Sequence, residues 1–299
     1  MLSSGGGSPY LSVEGHVELA RQAAAEGFPS YWLPQIFGVD AITTAAVIGR
    51  DVPGIEVGTA VVPIAPRHPI VMAQQALTAS ELAGGRFTLG VGLSHQIVIE
   101  QMYGLSYARP ATQMHEYLSV LVPLLRDRSV AYAGETVSAS ASLDLAAAPA
   151  CPVLVAALGP KMLELTGELA DGTITWMTGP VTIAGHIVPT MRAAADRHGR
   201  PTPRVVAGLA VCVTDDVDGA RERAASAFQV YGFLPSYRAM LDREGFAGPG
   251  DFAVVGDEAA VRAELARYED AGVDDLQTVE FGTTEAEQQR TRELLHSLL

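Results

Sequence analysis

Short β-branched runs alternate with longer helical patterns along nearly the whole chain, which restricts it to a parallel sheet wrapped by helices. The strand candidates are Tyr31–Leu33, Ile55–Val62, Phe87–Val91, Pro152–Ala156, Thr173–Trp176, Val205–Val213 and Leu276–Phe281. Between them, apolar residues recur at the spacing of one buried helix face: Met114, Tyr117, Leu118, Leu121 and Leu125 in one segment, Met162, Leu165 and Leu169 in another. Val13, Val17, Ala20 and Ala24 near the start repeat the pattern, as do Val261, Leu265 and Tyr268 near the end. An eighth parallel strand would complete a (β/α)8 TIM barrel. Only Met1 to Ser4 precede the glycines Gly5 to Gly7, so the first strand reads as truncated. Either the true start lies upstream, or the barrel tolerates a stub that leaves the edges of its neighbours exposed.

A length of 299 residues suits one barrel domain spanning 1–299. Two regions exceed what the alternation needs: 128–150, rich in Ala and Ser, and 229–251, which mixes aromatics with Gly and Pro. Each reads as an insertion, with a lid or a solvent-facing excursion as the alternatives. In the second, Tyr231, Phe233, Leu234, Tyr237 and Met240 either wall an apolar substrate pocket or pack on the outside of the barrel.

The net charge of −14 excludes a broad basic face, so nucleic acid and anionic membranes are not expected partners and an anionic ligand needs a local pocket. Cys151 and Cys212 stand far apart at the edges of apolar runs, which suits two buried thiols better than a disulfide framework or a metal site. No run of eighteen apolar residues and no basic-flanked leader is visible, so the expected home is the cytoplasm.

The stretch GRFTLGVGLSH, residues 85 to 95, carries the chemistry. Its apolar strand runs directly into Gly92, Ser94 and His95, which puts polar groups at the carboxyl end of a strand, where α/β barrels hold their active sites. Arg67-His68-Pro69 and Arg86 lie at element boundaries and read as structural, Arg86 at the opposite end of the barrel. Arg109 and Glu116 have the spacing of an ion pair at a helix start. After the strand near 152–156, Ala156-Ala157-Leu158-Gly159 precedes Pro160, and small residues before a helix amino terminus allow an anion to reach the backbone amides. Lys161 adds charge there or is a solvated surface lysine.

Taken in order, TAVVPIAPRHP (59–69), GGRFTLGVGLSH (84–95), GLSYARPATQMHEYL (104–118) and LVAALGPKMLELTGELADGTITW (154–176) resemble the luciferase-like monooxygenase superfamily, in its branch that uses the deazaflavin coenzyme F420. The resemblance covers nearly the whole chain. It implies a ring bound at the carboxyl ends of the strands, against a bulge with a non-prolyl cis peptide that matches Ala60-Val61. It implies a coenzyme phosphate at Ala156, Ala157, Leu158 and Gly159, with a second phosphate-side loop at Thr178 and Gly179. Ser94 and His95 match positions beside the ring. His95 stands where sugar-phosphate dehydrogenases of the family carry a glutamate, and Gln35 where they carry a histidine. Histidine serves as acid or base near neutrality, whereas an amide cannot remove a proton, so the resemblance makes His95 the catalytic candidate and Gln35 a hydrogen-bonding one. The expected activity is hydride transfer between F420 and a small organic substrate; FMN-dependent monooxygenation and a non-catalytic flavin-binding barrel are the alternatives. Family members pair through the helices after strands two and three, here Ala41–Arg50 and Ile70–Leu82, both short of charge, which implies a homodimer.

Overall fold

The computed structural model describes residues 2–5 and 10–299, with side chains from Tyr10 onward. The chain begins with β1 (Leu2–Gly5), α1 (Val13–Ala25), β2 (Ser30–Leu33), α2 (Ala41–Asp51), β3 (Glu56–Thr59), β4 (Val62–Pro63), α3 (Pro69–Leu82) and β5 (Phe87–Gly92). It continues with α4 (Pro110–Asp127), β6 (Ser129–Ala133), β7 (Ser138–Ser142), β8 (Val153–Val155), α5 (Pro160–Leu169), β9 (Gly172–Trp176), α6 (Pro180–Thr182), α7 (Val188–Arg197) and β10 (Arg204–Val213). The last stretch comprises α8 (Val217–Ala227), α9 (Pro235–Glu244), β11 (Val254–Gly256), α10 (Glu258–Asp270), β12 (Asp275–Glu280) and α11 (Glu285–His296).

Parallel pairing runs from β1 through β2, β3, β5, β8, β9, β10 and β12 and back to β1, which closes the barrel. The seven anticipated strands are all present, but Ile55–Val62 splits into β3 and β4, which act as two halves of one strand against β5. The stub suffices for closure: Leu2, Ser3 and Ser4 pair with Leu276, Gln277 and Thr278, and Ser4 and Gly5 with Tyr31 and Trp32. Both neighbouring edges are therefore covered along this stretch. Met1 and residues 6–9 of the amino-terminal segment lie outside the described residues.

Inside the ring, Trp32, Leu154, Ile174 and Val206 form a buried cluster with Ala60 and Val61 packed against it. At the strands' amino ends, Arg204 closes the floor. Its guanidinium donates to both Glu56 oxygens (2.8 and 3.1 Å) and to Asp275, and lies over the Trp32 ring at 5.7 Å. A buried charge is tolerable only when paired in this way. Arg86, at the same end, donates to the carbonyls of Gly49, Val52 and Ile55, while His68 caps α3 ahead of Pro69. These are the boundary roles anticipated for them.

Two expectations change. α5 buries Leu163, Thr166 and Gly167 rather than the stripe Met162, Leu165 and Leu169, which is only partly covered. The helix is rotated because α7 lies against it: a Cβ on Gly167 would stand 2.3 Å from the Met191 carbonyl oxygen. Nor do Arg109 and Glu116 pair with each other. Glu116 accepts from the Thr136 hydroxyl and from the amides of Glu135, Thr136 and Val137, and these bonds hold its carboxyl at about 2. Arg109 instead meets Glu135. A buried carboxylate gains more from the converging donors of a tight turn than from one exposed guanidinium. That turn joins β6 to β7, so region 128–150 is an antiparallel hairpin held on α4.

Region 229–251 contains α9, and the short β11 beyond it adds to the far end of β10. No helix among the described residues is long and apolar enough to cross a membrane. Cys151 and Cys212 are both buried and free.

Candidate active site

The site begins at the interruption of the third barrel strand. Gly58 pairs with Thr88 and Val62 with Val91, so Thr59, Ala60 and Val61 face only Leu89 and Gly90. One extra residue makes a bulge. The Ala60–Val61 peptide within it is cis, at the expected pair. Two glycines of β5 form the mould: a Cβ on Gly90 would stand 1.9 Å from the Thr59 carbonyl oxygen, and one on Gly92 2.7 Å from Val61 Cγ2. A Cβ on Gly92 would also come within 3.2 Å of Ala156 Cβ, which places the bulge beside the end of β8.

Beyond Gly92 the chain turns sharply. Ser94 holds a left-handed conformation (φ 60°), uncommon for a residue with a Cβ, and its carbonyl accepts from the Tyr107 hydroxyl. The His95 carbonyl accepts from Val98 and Ile99, which starts the π-helical turn Val98–Met102. Its imidazole is half-buried and packs at 6.2 Å from the Tyr237 ring, with no hydrogen bond or ion pair to that imidazole among the described residues. Burial lowers its pKa below the ordinary 6.5, so the ring is neutral at neutral pH. On the loop after β2, Gln35 Oε1 accepts from the Ala41 amide at 2.8 Å. Its oxygen is thereby committed, and what it offers a ligand is a donor.

The two anticipated phosphate loops differ. After β8, Ala156 N–H makes the last ladder bond, to Val91, and among the described residues the amides of Ala157, Leu158 and Gly159 find no acceptor. Gly159 occupies the N-cap position of α5 without a side-chain cap, and a Cβ there would meet nothing within 4 Å. Three unclaimed amides at an uncapped helix start make an open cradle for an anion. Lys161 is exposed beside it, with no ion pair among the described residues.

After β9, the chain passes through Met177 in a left-handed conformation (φ 49°) to Thr178 and Gly179. Here the helix start is already served: the Glu244 carboxylate, from the end of α9, accepts from the Thr182 amide, and a Cβ on Gly179 would stand 2.4 Å from its Cδ. The protein's own anion sits there. No local pattern in the sequence marks Glu244 for this task, since its partner lies sixty-two residues away.

Segment 229–251 crosses the mouth of the barrel. Ring contacts run from Trp176 to Phe228 (5.8 Å), Phe228 to Tyr231 (6.5 Å), Tyr231 to Tyr237 (4.8 Å) and Tyr237 to His95, joining the ends of β9 and β5. Of the anticipated wall, Tyr231 and Tyr237 belong to this chain of rings and Met240 is buried, while Phe233 points to solvent. A second aromatic pair, Phe37 and Tyr103 at 6.4 Å, joins the loops after β2 and β5, where Ile97 and Met102 are also exposed.

The sequence matches the family described as luciferase-like monooxygenase over residues 2–275. It is 28% identical over 242 residues to a 5,10-methylenetetrahydromethanopterin reductase of Methanolobus tindarius, a match that covers 79% of this chain and 72% of that protein. In fold it is similar to the coenzyme F420-dependent tetrahydromethanopterin reductase of Methanopyrus kandleri, with a TM-score of 0.80, 21% identity and coverage of 98% and 97% of the two chains. It is also similar to the oxygenating constituent of 3,6-diketocamphane monooxygenase of Pseudomonas putida in complex with FMN, with a TM-score of 0.77, 16% identity and coverage of 99% and 97%.

Proposed function

Because the chain belongs to the luciferase-like monooxygenase family, we propose that it is an oxidoreductase that moves a hydride between coenzyme F420 and a small organic substrate. The observation that carries this reading is the open turn Ala157–Gly159, whose unclaimed amides lie next to the Ala60–Val61 bulge. An anion-binding cradle one strand away from a small apolar shelf fits a flat ring with a phosphate-bearing tail. Exposed Lys161 at the same helix start favours F420 over FMN, because the F420 tail carries further negative charge beyond its phosphate.

When bound, the deazaflavin supplies a ring carbon that accepts or gives a hydride. The chain supplies the rest. His95, neutral and free of partners, takes the proton from a substrate hydroxyl during oxidation and returns it in the reverse direction. Gln35 donates a hydrogen bond to ring or substrate, and Tyr231 and Tyr237 keep water from the reacting groups. The rim around Phe37, Ile97, Met102 and Tyr103 is apolar, while nearby Arg67 and Arg109 are engaged by Asp40 and Glu135. The substrate we propose is therefore an uncharged molecule with an apolar body.

A homodimer through α2 and α3 completes the proposal, since Val71 and Leu82 stand exposed on α3. The two buried free thiols suit a cytoplasmic home. The deciding experiment is a fluorescence titration at fixed salt with each coenzyme. F420 should bind at least about tenfold more tightly than FMN, a gap of roughly 1.4 kcal/mol. Equal or reversed affinities overturn the F420 assignment.

A further inference from the structure

We propose that His186 is a positioning residue that fixes the direction of the Gly159 amide in the phosphate turn, an inference that rests on the reading of that turn as the coenzyme's phosphate site. His186 lies in the π-helical segment Ile183–Ile187, between α6 and α7, and only 8% of its surface is exposed. Its Nε2 is 2.9 Å from the carbonyl oxygen of Leu158. A carbonyl oxygen only accepts, so Nε2 carries the hydrogen and the tautomer is set. Such a group, buried beside Ile183 and Ile187, is costly without a partner, and the Leu158 carbonyl provides one.

The consequence lies across the peptide. The Leu158 carbonyl and the Gly159 N–H belong to one planar trans unit, in which the two dipoles point in opposite directions. With the carbonyl drawn toward His186, the N–H is turned away from it, toward the space where a Cβ on Gly159 would meet no atom. Little else restrains this peptide. It lies outside strand and helix, and glycine at its carboxyl side permits either orientation. If the unit rotated, an acceptor would face the phosphate where a donor is needed. A π turn adds a residue to the helical repeat, and here it carries the imidazole that reaches the neighbouring turn.

The test compares His186→Gln, which keeps an N–H near the position of Nε2, with His186→Met, which has similar bulk and no donor; His186→Leu replaces the latter if it fails to fold. F420 affinity is read by fluorescence titration in the full-length protein, with the thermal midpoint as the control for folding. We expect His186→Met to weaken binding about tenfold or more and His186→Gln to stay within about threefold of the unaltered protein, the difference one donor to an anion makes. Turnover at saturating coenzyme should be unchanged in both, because His186 touches no reacting group. Equal affinities in the Gln, Met and unaltered proteins overturn the proposal, as does equal weakening in both variants at an unaltered midpoint. Gly159→Asp separates the two levels of the argument. If it leaves affinity unchanged, the phosphate site lies elsewhere; if it abolishes binding while His186→Met binds normally, only the role of His186 falls.

Discussion

The Thr59 hydroxyl bridges both backbone groups of Gly90, accepting from its N–H and donating to its carbonyl, each at 2.9 Å. In the register of β3, β4 and β5 this is where the bulge leaves the ladder of β5 without a backbone partner. A side chain from the bulged strand restores the missing bonds, so the shelf beneath the proposed ring site has no unpaired backbone group at Gly90.

Thr59→Val keeps the shape and removes the bridge. Two buried groups of Gly90 are then unsatisfied, at a cost of about 1–3 kcal/mol each. The urea midpoint should fall accordingly, and Thr59→Ser should recover most of the loss. A Val variant as stable as the unaltered protein would show that water or a shift of β5 supplies the bonds.

Gly90→Ala and Gly92→Ala should separate fold from binding. At Gly90 the new methyl meets backbone at 1.9 Å, which cannot give way without moving a strand, so a loss of roughly 3 kcal/mol or more is expected. At Gly92 it meets the Val61 side chain at 2.7 Å, which can tilt. That variant should fold and bind coenzyme weakly, because the shelf is displaced. Denaturation and titration on both variants decide the matter, and equal loss of stability would contradict the difference.

Lys161→Ala should weaken F420 binding by less than Gly159→Asp does. The first removes one exposed charge, worth about 1 kcal/mol or less at moderate salt, while the second puts a carboxylate into the amide cradle itself. Rising ionic strength should shrink the effect of Lys161→Ala. A salt-independent effect at position 161 would mean that the lysine acts by packing.

His95→Ala should lower turnover by roughly 10²-fold or more while coenzyme affinity changes by less than about tenfold, the usual weight of a positioned acid or base. His95→Gln keeps a hydrogen bond without an exchangeable charge, so full activity in that variant would reduce His95 to a positioning role. The pH profile carries a sign. Burial lowers the His95 pKa, so the imidazole is neutral at pH 7 and gains its proton only as pH falls through a value below 6.5. Oxidation of an alcohol, which needs the neutral base, should lose kcat/KM on that descent. Reduction of a ketone, which needs the protonated acid, should gain. An inflection above 6.5 would contradict the assignment.

Period and order were legible in the residues alone. The alternation of strand and helix, the buried face of α4 from Met114 to Leu125, and the polar residues after β5 follow from repeats that each segment carries within itself. The bulge at Ala60–Val61 and the turn before Pro160 were legible by likeness to a family, as motifs in a given order. What the residues did not disclose is which distant groups meet. The glycines of β5 looked like turn-formers, yet Gly90 and Gly92 are mid-strand and exist to admit Thr59 and Val61 from the neighbouring strand. Glu116 looked like the partner of Arg109 until a hairpin turn offered it four donors, and α5 presented the wrong stripe until α7 pressed on Gly167. Glu244 on the start of α6 and His186 on the Leu158 carbonyl are of the same kind. A local pattern encodes how a segment coils and which side is apolar, because those depend on neighbours in the chain. The choice of hydrogen-bond and packing partners depends on which segments closure of the barrel brings side by side, and tertiary structure alone decides it.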